Sequence, residues 1–154
     1  RNMLIARAER LGISDMIEFD SSYRPLSSLV DLIGKSTCVV LPYDSDDQIT
    51  SGVLVDAIAA GRPVIATRFP HAAEVLESGA GLVVNHADPL ALAEAMERVV
   101  TDRTLVANMA MVAATMAPNY RWPVIAAEYA DLAADVANRN RLASGSLSVA
   151  GGGE

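Results

Sequence analysis

Short apolar runs alternate along this chain with longer stretches in which apolar positions recur every three or four residues. Val39-Val40-Leu41, stopped by Pro42, has the length and continuity of a buried parallel strand. Pro63-Val64-Ile65-Ala66-Thr67 and Gly81-Leu82-Val83-Val84 read the same way, and Ile17-Glu18-Phe19 predicts a brief fourth strand. Between them lie helical periods. Met3 to Leu11 places Leu4, Ala8 and Leu11 on one face and meets Gly12 as its stop. Pro25 and Ser27 introduce a helix to about Lys35 with Leu29, Leu32 and Ile33 at core spacing. Further helices are predicted over 72–78, over 90–100 behind Asp88-Pro89, and over 102–116. Pro118-Asn119 breaks the chain before a last helix from Trp122 to about Asn138, with Trp122, Ile125, Ala126, Tyr129 and Leu132 on its buried side. The fold class expected is α/β, a Rossmann-like parallel sheet with helices on both faces. The domain is expected to span residues 1–138, and 139–154, which turns to Ser, Ala and Gly after Leu142, to be a disordered tail. No internal repeat is visible.

The centre of this pattern is the stretch from Val39 to Thr67, a strand, a polar loop, a helix, a tight turn and a strand. The loop from Tyr43 to Thr50 carries Asp44, Asp46, Asp47 and Gln48. Ser51 or Thr50 can cap a helix whose apolar positions are Val53, Leu54, Ala57, Ile58 and Ala60. Gly61 supplies a left-handed end, and Pro63 prevents continuation. In open parallel sheets ligands sit beyond the carboxyl ends of the strands, where helix N-termini point. The first helical turn leaves N–H groups unpaired at the positive end of the helix dipole. Gly52 has no side chain, so an anion can approach the amides of Ser51, Gly52, Val53 and Leu54. Asp56 lies one turn deeper on the same face, badly placed for a phosphate but well placed to accept hydrogen bonds from sugar hydroxyls. That combination suits a nucleoside diphosphate-sugar. The same residues are also compatible with an ordinary helix start and a solvated surface carboxylate.

Composition narrows the field. At 154 residues, with 51% hydrophobic residues, the chain can bury one core. No apolar run approaches the twenty or so residues of a membrane span. A net charge of −7, with Lys35, Arg62 and Arg68 scattered, argues against nucleic acid or an anionic membrane surface as partner. The single cysteine, Cys38, precedes a core strand and reads as packing, and it points weakly to the cytoplasm. Met109, Met111 and Met116 read as gap-filling core. His71 has no neighbouring nucleophile and no second histidine at metal-ligand spacing, so it reads as a plain loop residue. Arg1 in place of a methionine suggests that a further portion precedes it.

Gln48, then Ile49 to Val55, then Asp56-Ala57-Ile58-Ala59-Ala60-Gly61-Arg62-Pro63-Val64 resembles a motif of a known family. The family is the retaining family-4 (group 1) glycosyltransferases of the GT-B fold, in their C-terminal, nucleotide-sugar-binding domain. There two glutamates stand with seven residues between them, where this chain has Gln48 and Asp56. Glu74-Val75-Leu76, Gly79 to Val84, Asp88 to Ala93, and upstream Leu11-Gly12-Ile13 and Ile17-Glu18-Phe19 follow the family's order. One departure stands before Glu74, where a glycine-rich turn is replaced by Phe69-Pro70-His71-Ala72-Ala73.

The resemblance implies transfer of a sugar from a nucleotide-diphosphate sugar to an acceptor with retention of anomeric configuration, without a metal or other cofactor. By it Asp56 meets the ribose hydroxyls, the amides of Ser51, Gly52, Val53 and Leu54 meet diphosphate and sugar, and Gln48 lies near the donor sugar. Ser22 and Tyr23 would sit on the base side, although an ordinary loop explains them equally well. No catalytic residue is assigned within the chain. The acceptor would be held mainly by a missing N-terminal domain, which is also the part that would bring a cytoplasmic enzyme to a membrane, and the chain alone would be inactive. Two rivals remain: a catalytically dead GT-B-like binding or scaffold domain, suggested by the altered acids, and a GT-B relative such as a sugar-nucleotide epimerase or phosphorylase.

Overall fold

The structure, a computed structural model, describes residues 1–45 and 47–149, with side chains of the last helix as far as Arg139. Its elements in order are α1 (Asn2–Leu11), α2 (Leu26–Lys35), β1 (Val39–Leu41), α3 (Gly52–Ala59), β2 (Val64–Thr67), α4 (Pro70–Leu76), β3 (Gly81–Val84), α5 (Pro89–Thr101), α6 (Arg103–Met116) and α7 (Trp122–Val149). Single 3-10 turns occupy Ser14–Met16 and Ala117–Tyr120. The strands form one parallel sheet in the order β1-β2-β3, with Val39 opposite Val64 and Val64 opposite Gly81.

Alternation along β2 divides the core into two layers. Val64 and Ala66 face Leu54, Ala57 and Ile58 of α3 and Ala72, Val75 and Leu76 of α4, with Ile33 of α2 and Ala113 of α6 closing that side. Ile65 faces the other way, against Val84, Ala95 and Val99 of α5 and Met109 of α6. The parallel sheet thus has helices on both faces, which explains why its strands are continuous apolar runs. Leu54, Ile58, Val64, Ile65 and Phe69 are wholly buried, and each such burial contributes roughly 1.5–3 kcal/mol. Gly81 is dictated by close approach: a Cβ there would lie 2.0 Å from the Val64 carbonyl oxygen.

Local chemistry sets the element ends as expected at several points. Gly12 and Gly61 close α1 and α3 at φ 67° and 66°. The amides of Gly61 and Arg62 reach back to the carbonyls of Ile58 and Ala57 at 2.9 Å. Asp88 and Asp102 cap α5 and α6, each carboxylate accepting an amide hydrogen bond at 2.9 Å, from Ala91 and Leu105.

Several expectations are corrected. Ile17-Glu18-Phe19 is extended at Ile17 but joins no ladder; the Phe19 carbonyl instead accepts from the Arg1 guanidinium at 3.0 Å. The helix expected over 72–78 runs from Pro70 to Leu76, because proline at a first helical position starts the turn two residues sooner. The apolar side of α7 is not buried: Trp122 is 77% exposed, Tyr129 70% and Leu132 60%, and of the expected face only Ile125 is partly covered. Helix α7 also runs past Asn138 to Val149, into the 139–154 stretch expected to be a disordered tail. Residues 150–154 of that tail lie outside the described residues. Among the methionines Met109 is buried and Met116 packs on the core, whereas Met111 is exposed.

Candidate functional site

The three strands end together, and their exit loops meet. Tyr43 follows β1, Arg68 follows β2 and His86 follows β3. The Thr67 hydroxyl donates to the Tyr43 carbonyl at 2.6 Å and lies 3.3 Å from that of Leu41, tying the exit of β1 to the end of β2. His86 places Nδ1 at 3.1 Å from the Tyr43 carbonyl oxygen and Nε2 at 2.7 Å from that of Arg68. One imidazole therefore gathers all three loops. The Tyr43 ring rests on buried Phe69, centroids 5.1 Å apart, which fixes the floor of the cleft.

Above this floor α3 begins. Ser51, 3% exposed, is its cap: Oγ accepts from the Leu54 amide at 3.3 Å and lies 3.3 Å from the Tyr43 hydroxyl. The Ser51 amide donates to Nδ1 of His71 at 3.0 Å. Two of the four amides expected to face an anion, those of Ser51 and Leu54, are therefore satisfied within the protein. Those of Gly52 and Val53 have no hydrogen-bond partner among the described residues. The space at Gly52 is open, with nothing within 4 Å of where a Cβ would stand. Asp56 lies one turn further along, half-exposed, while Leu54, Ala57 and Ile58 take the buried face. Its carboxylate has no partner among the described residues.

The other expected site residues are less free. Gln48 donates through Nε2 to the Thr50 carbonyl at 2.8 Å, so its amide nitrogen bends back onto its own loop. Ser22 is committed to Asp20: its hydroxyl lies 2.6 Å and its amide 2.8 Å from Oδ1. These two bonds, with the Arg24 guanidinium beside them, hold the Asp20 carboxyl down at about 2 from its ordinary 3.8. Tyr23 is 93% exposed and borders a shallow hollow with Glu18, Asp20, Arg24, Leu29 and Leu32. The structure brings Ser51, Gly52, Val53, Leu54 and Asp56 together on α3; Gln48 stands in the loop before it, and Ser22 and Tyr23 in a separate segment before α2.

His71 is the residue misread from sequence. It sits in the first turn of α4 rather than in a loop, and it accepts the Ser51 amide. Tyr43, Thr67 and His86 were also passed over, and the signal that would have found them is position alone, each standing at the carboxyl end of a strand. Among the basic residues, Arg62 is at the opposite edge: it precedes β2, and its guanidinium donates to the Gly34 carbonyl. Burial pushes the Cys38 thiol pKa up, in keeping with packing rather than reactivity. Among the described residues no cluster of three or more His, Cys, Asp or Glu side chains is placed to hold a metal ion, and no helix is long and apolar enough to cross a membrane.

The family model described as glycosyl transferases, group 1, matches residues 2–102, which takes in α1 through α5 and the whole cleft. The chain belongs to the group 1 glycosyltransferase family. Among the proteins it resembles, the D-inositol 3-phosphate glycosyltransferase of Corynebacterium urealyticum is 34% identical over 126 residues, covering 81% of this chain and 29% of that protein. That of Corynebacterium diphtheriae is 32% identical over 145 residues, 88% of this chain and 33% of the relative. The crystal structure of WaaG, a glycosyltransferase involved in lipopolysaccharide biosynthesis, superposes with a TM-score of 0.64 at 26% identity, covering 76% of this chain and 31% of that one. The fold is thus that of a domain of a GT-B glycosyltransferase, and the chain spans about a third of the length of the relatives it matches.

Proposed function

We propose that this chain is the donor-binding domain of a retaining glycosyltransferase, which moves a sugar from a nucleoside diphosphate-sugar to an acceptor held by another part of the protein. The observation that carries this reading is the start of α3: two partnerless amides at the positive end of a helix, open space over Gly52, and the Asp56 carboxylate one turn away. In this reading a diphosphate oxygen accepts from Gly52 and Val53, and Asp56 accepts from ribose hydroxyls. Neither bond needs a metal. Little at this edge neutralises the charge that develops on a leaving diphosphate, so the domain by itself transfers no sugar. Acceptor recognition belongs elsewhere, and the inositol phosphate in the relatives' name supplies a first acceptor to try.

A second reading is a binding or scaffold role without catalysis. It draws on Gln48, which is uncharged where the family has an acid and is tethered to Thr50. An epimerase or a phosphorylase would share the donor site and differ in product.

Gly52→Ala tests the donor reading. Gly52 is not in the left-handed region and the added methyl meets nothing, so the fold should tolerate it or gain about 0.4–1 kcal/mol, as helical Gly→Ala changes do. The same methyl obstructs a diphosphate. A thermal-shift panel of uridine, guanosine and adenosine diphosphates should therefore show stabilisation of the wild type by one of them and little in the variant. Equal shifts in both proteins would reject close approach at Gly52.

A further inference from the structure

Ser51 is almost wholly buried, and an unmet amide donor there would be costly. The protein meets it with a side chain from another element. His71 stands on α4, a platform held by the buried side chains of Phe69, Ala72, Val75 and Leu76. Its Nδ1 accepts the Ser51 N–H at 3.0 Å. An accepting Nδ1 carries no proton, so the proton of the neutral ring is on Nε2. Ser51 Oγ in turn takes the Leu54 amide and faces the Tyr43 hydroxyl. These contacts fix the first turn of α3 from two sides and remove two of its four leading amides from the surface offered to a ligand. What is left to an anion is Gly52 and Val53.

We infer that His71 is a positioning residue for the donor site: by accepting the Ser51 amide it locks the α3 N-terminus to α4 and confines a bound diphosphate to the amides of Gly52 and Val53. This rests on the donor-site reading above. His71 touches no substrate in this role; it acts through Ser51. The Ser51 contact is independent of any ligand and can be read separately, so the two ideas can fail separately.

The variants are His71→Ala, which deletes the acceptor; His71→Asn, whose Oδ1 falls near the position of Nδ1; and His71→Gln, whose acceptor lies one bond further out. Amide spectra of each chain, labelled with nitrogen-15, report the Ser51 proton shift and its exchange rate. Titration with uridine 5′-diphosphate and with inorganic pyrophosphate reports affinity through Gly52 and Val53. In His71→Ala the Ser51 proton should move upfield and exchange at least about tenfold faster, and the dissociation constant for diphosphate should rise about tenfold. His71→Asn should restore both, and His71→Gln should restore them less. A Ser51 signal indifferent to His71→Ala, or binding that His71→Asn fails to rescue, would overturn the positioning role. A Ser51 response with unchanged diphosphate affinity would overturn it while leaving the donor site standing. A wild type whose Gly52 and Val53 signals respond to neither probe would remove the donor-site reading and the positioning role together.

Discussion

Two regions of this molecule have similar helical patterns and opposite fates. In α3, every third or fourth position is apolar and Leu54, Ala57 and Ile58 are fully buried against Val64 and Ala66 of the sheet. In α7 the spacing of Trp122, Ile125, Tyr129 and Leu132 is as regular, yet Trp122 and Tyr129 stand mostly in solvent. Helix α1 resembles α7, with Ala8 buried but Leu4 and Leu11 more than half exposed. Periodicity states which face of a helix is apolar; it does not state that a partner for that face lies within the same chain. Around the site, short βα connections bring the partner within a few residues in sequence, so pattern and burial agree.

The largest effect expected from this contrast lies at the β2–β3 contact. Gly81→Ala drives a methyl into the Val64 carbonyl oxygen, against backbone that cannot step aside without breaking the ladder. Loss of a cooperative thermal transition is expected, and a melting temperature within a degree or two of wild type would contradict the register.

A paired substitution sharpens the comparison itself. Ile58→Ala, in the wholly buried face of α3, should cost about 2–5 kcal/mol by chemical denaturation. Trp122→Ala removes a larger side chain from α7 but should change stability by no more than about 0.5 kcal/mol, as for other exposed sites. If Trp122→Ala proved as damaging as Ile58→Ala, the α7 face would be covered in solution.

The smallest effect is local. The Asp20 carboxyl is held at about 2 by the Ser22 hydroxyl and amide and by Arg24. Because the folded value is depressed, what this turn adds to stability is fully present above pH 3.8 and is lost as pH falls through about 2. Carbon-13 titration of Asp20 should show the low midpoint, and Ser22→Ala should raise it toward 3.8 without changing the melting temperature at neutral pH. An unmoved midpoint would remove Ser22 as the main cause.

The contrast also explains what the sequence disclosed. The strands at 64–67 and 81–84, the αL glycines Gly12 and Gly61, and the caps Ser51 and Asp88 were legible because each depends on residues within a few positions of one another. Ile17-Glu18-Phe19 misled because a strand needs a ladder partner, and local apolar character does not supply one. At the site, the helix start and the placement of Asp56 followed from spacing. The bond from the Ser51 amide to His71, twenty residues away, did not, nor did His86 closing over Tyr43 and Arg68. Such bonds depend on strand order, which no single stretch of sequence encodes. The expectation of four available amides failed at Ser51 for that reason, and at Leu54 because the Ser51 cap itself accepts that amide.

Asp56 offers the most direct measurement. In a calorimetric titration of the nucleoside diphosphate-sugar into the complete protein, Asp56→Asn keeps the side chain's size and removes the charge proposed to accept from the ribose. Asp44→Ala, in the exposed loop after β1, serves as the control within the same cleft. A hydrogen bond to a charged acceptor contributes roughly 1.5–3 kcal/mol, so Asp56→Asn should weaken donor binding about ten- to a hundredfold. Asp44→Ala should weaken it far less. Donor binding by Asp56→Asn as tight as that of wild type would contradict the placement of the ribose on α3.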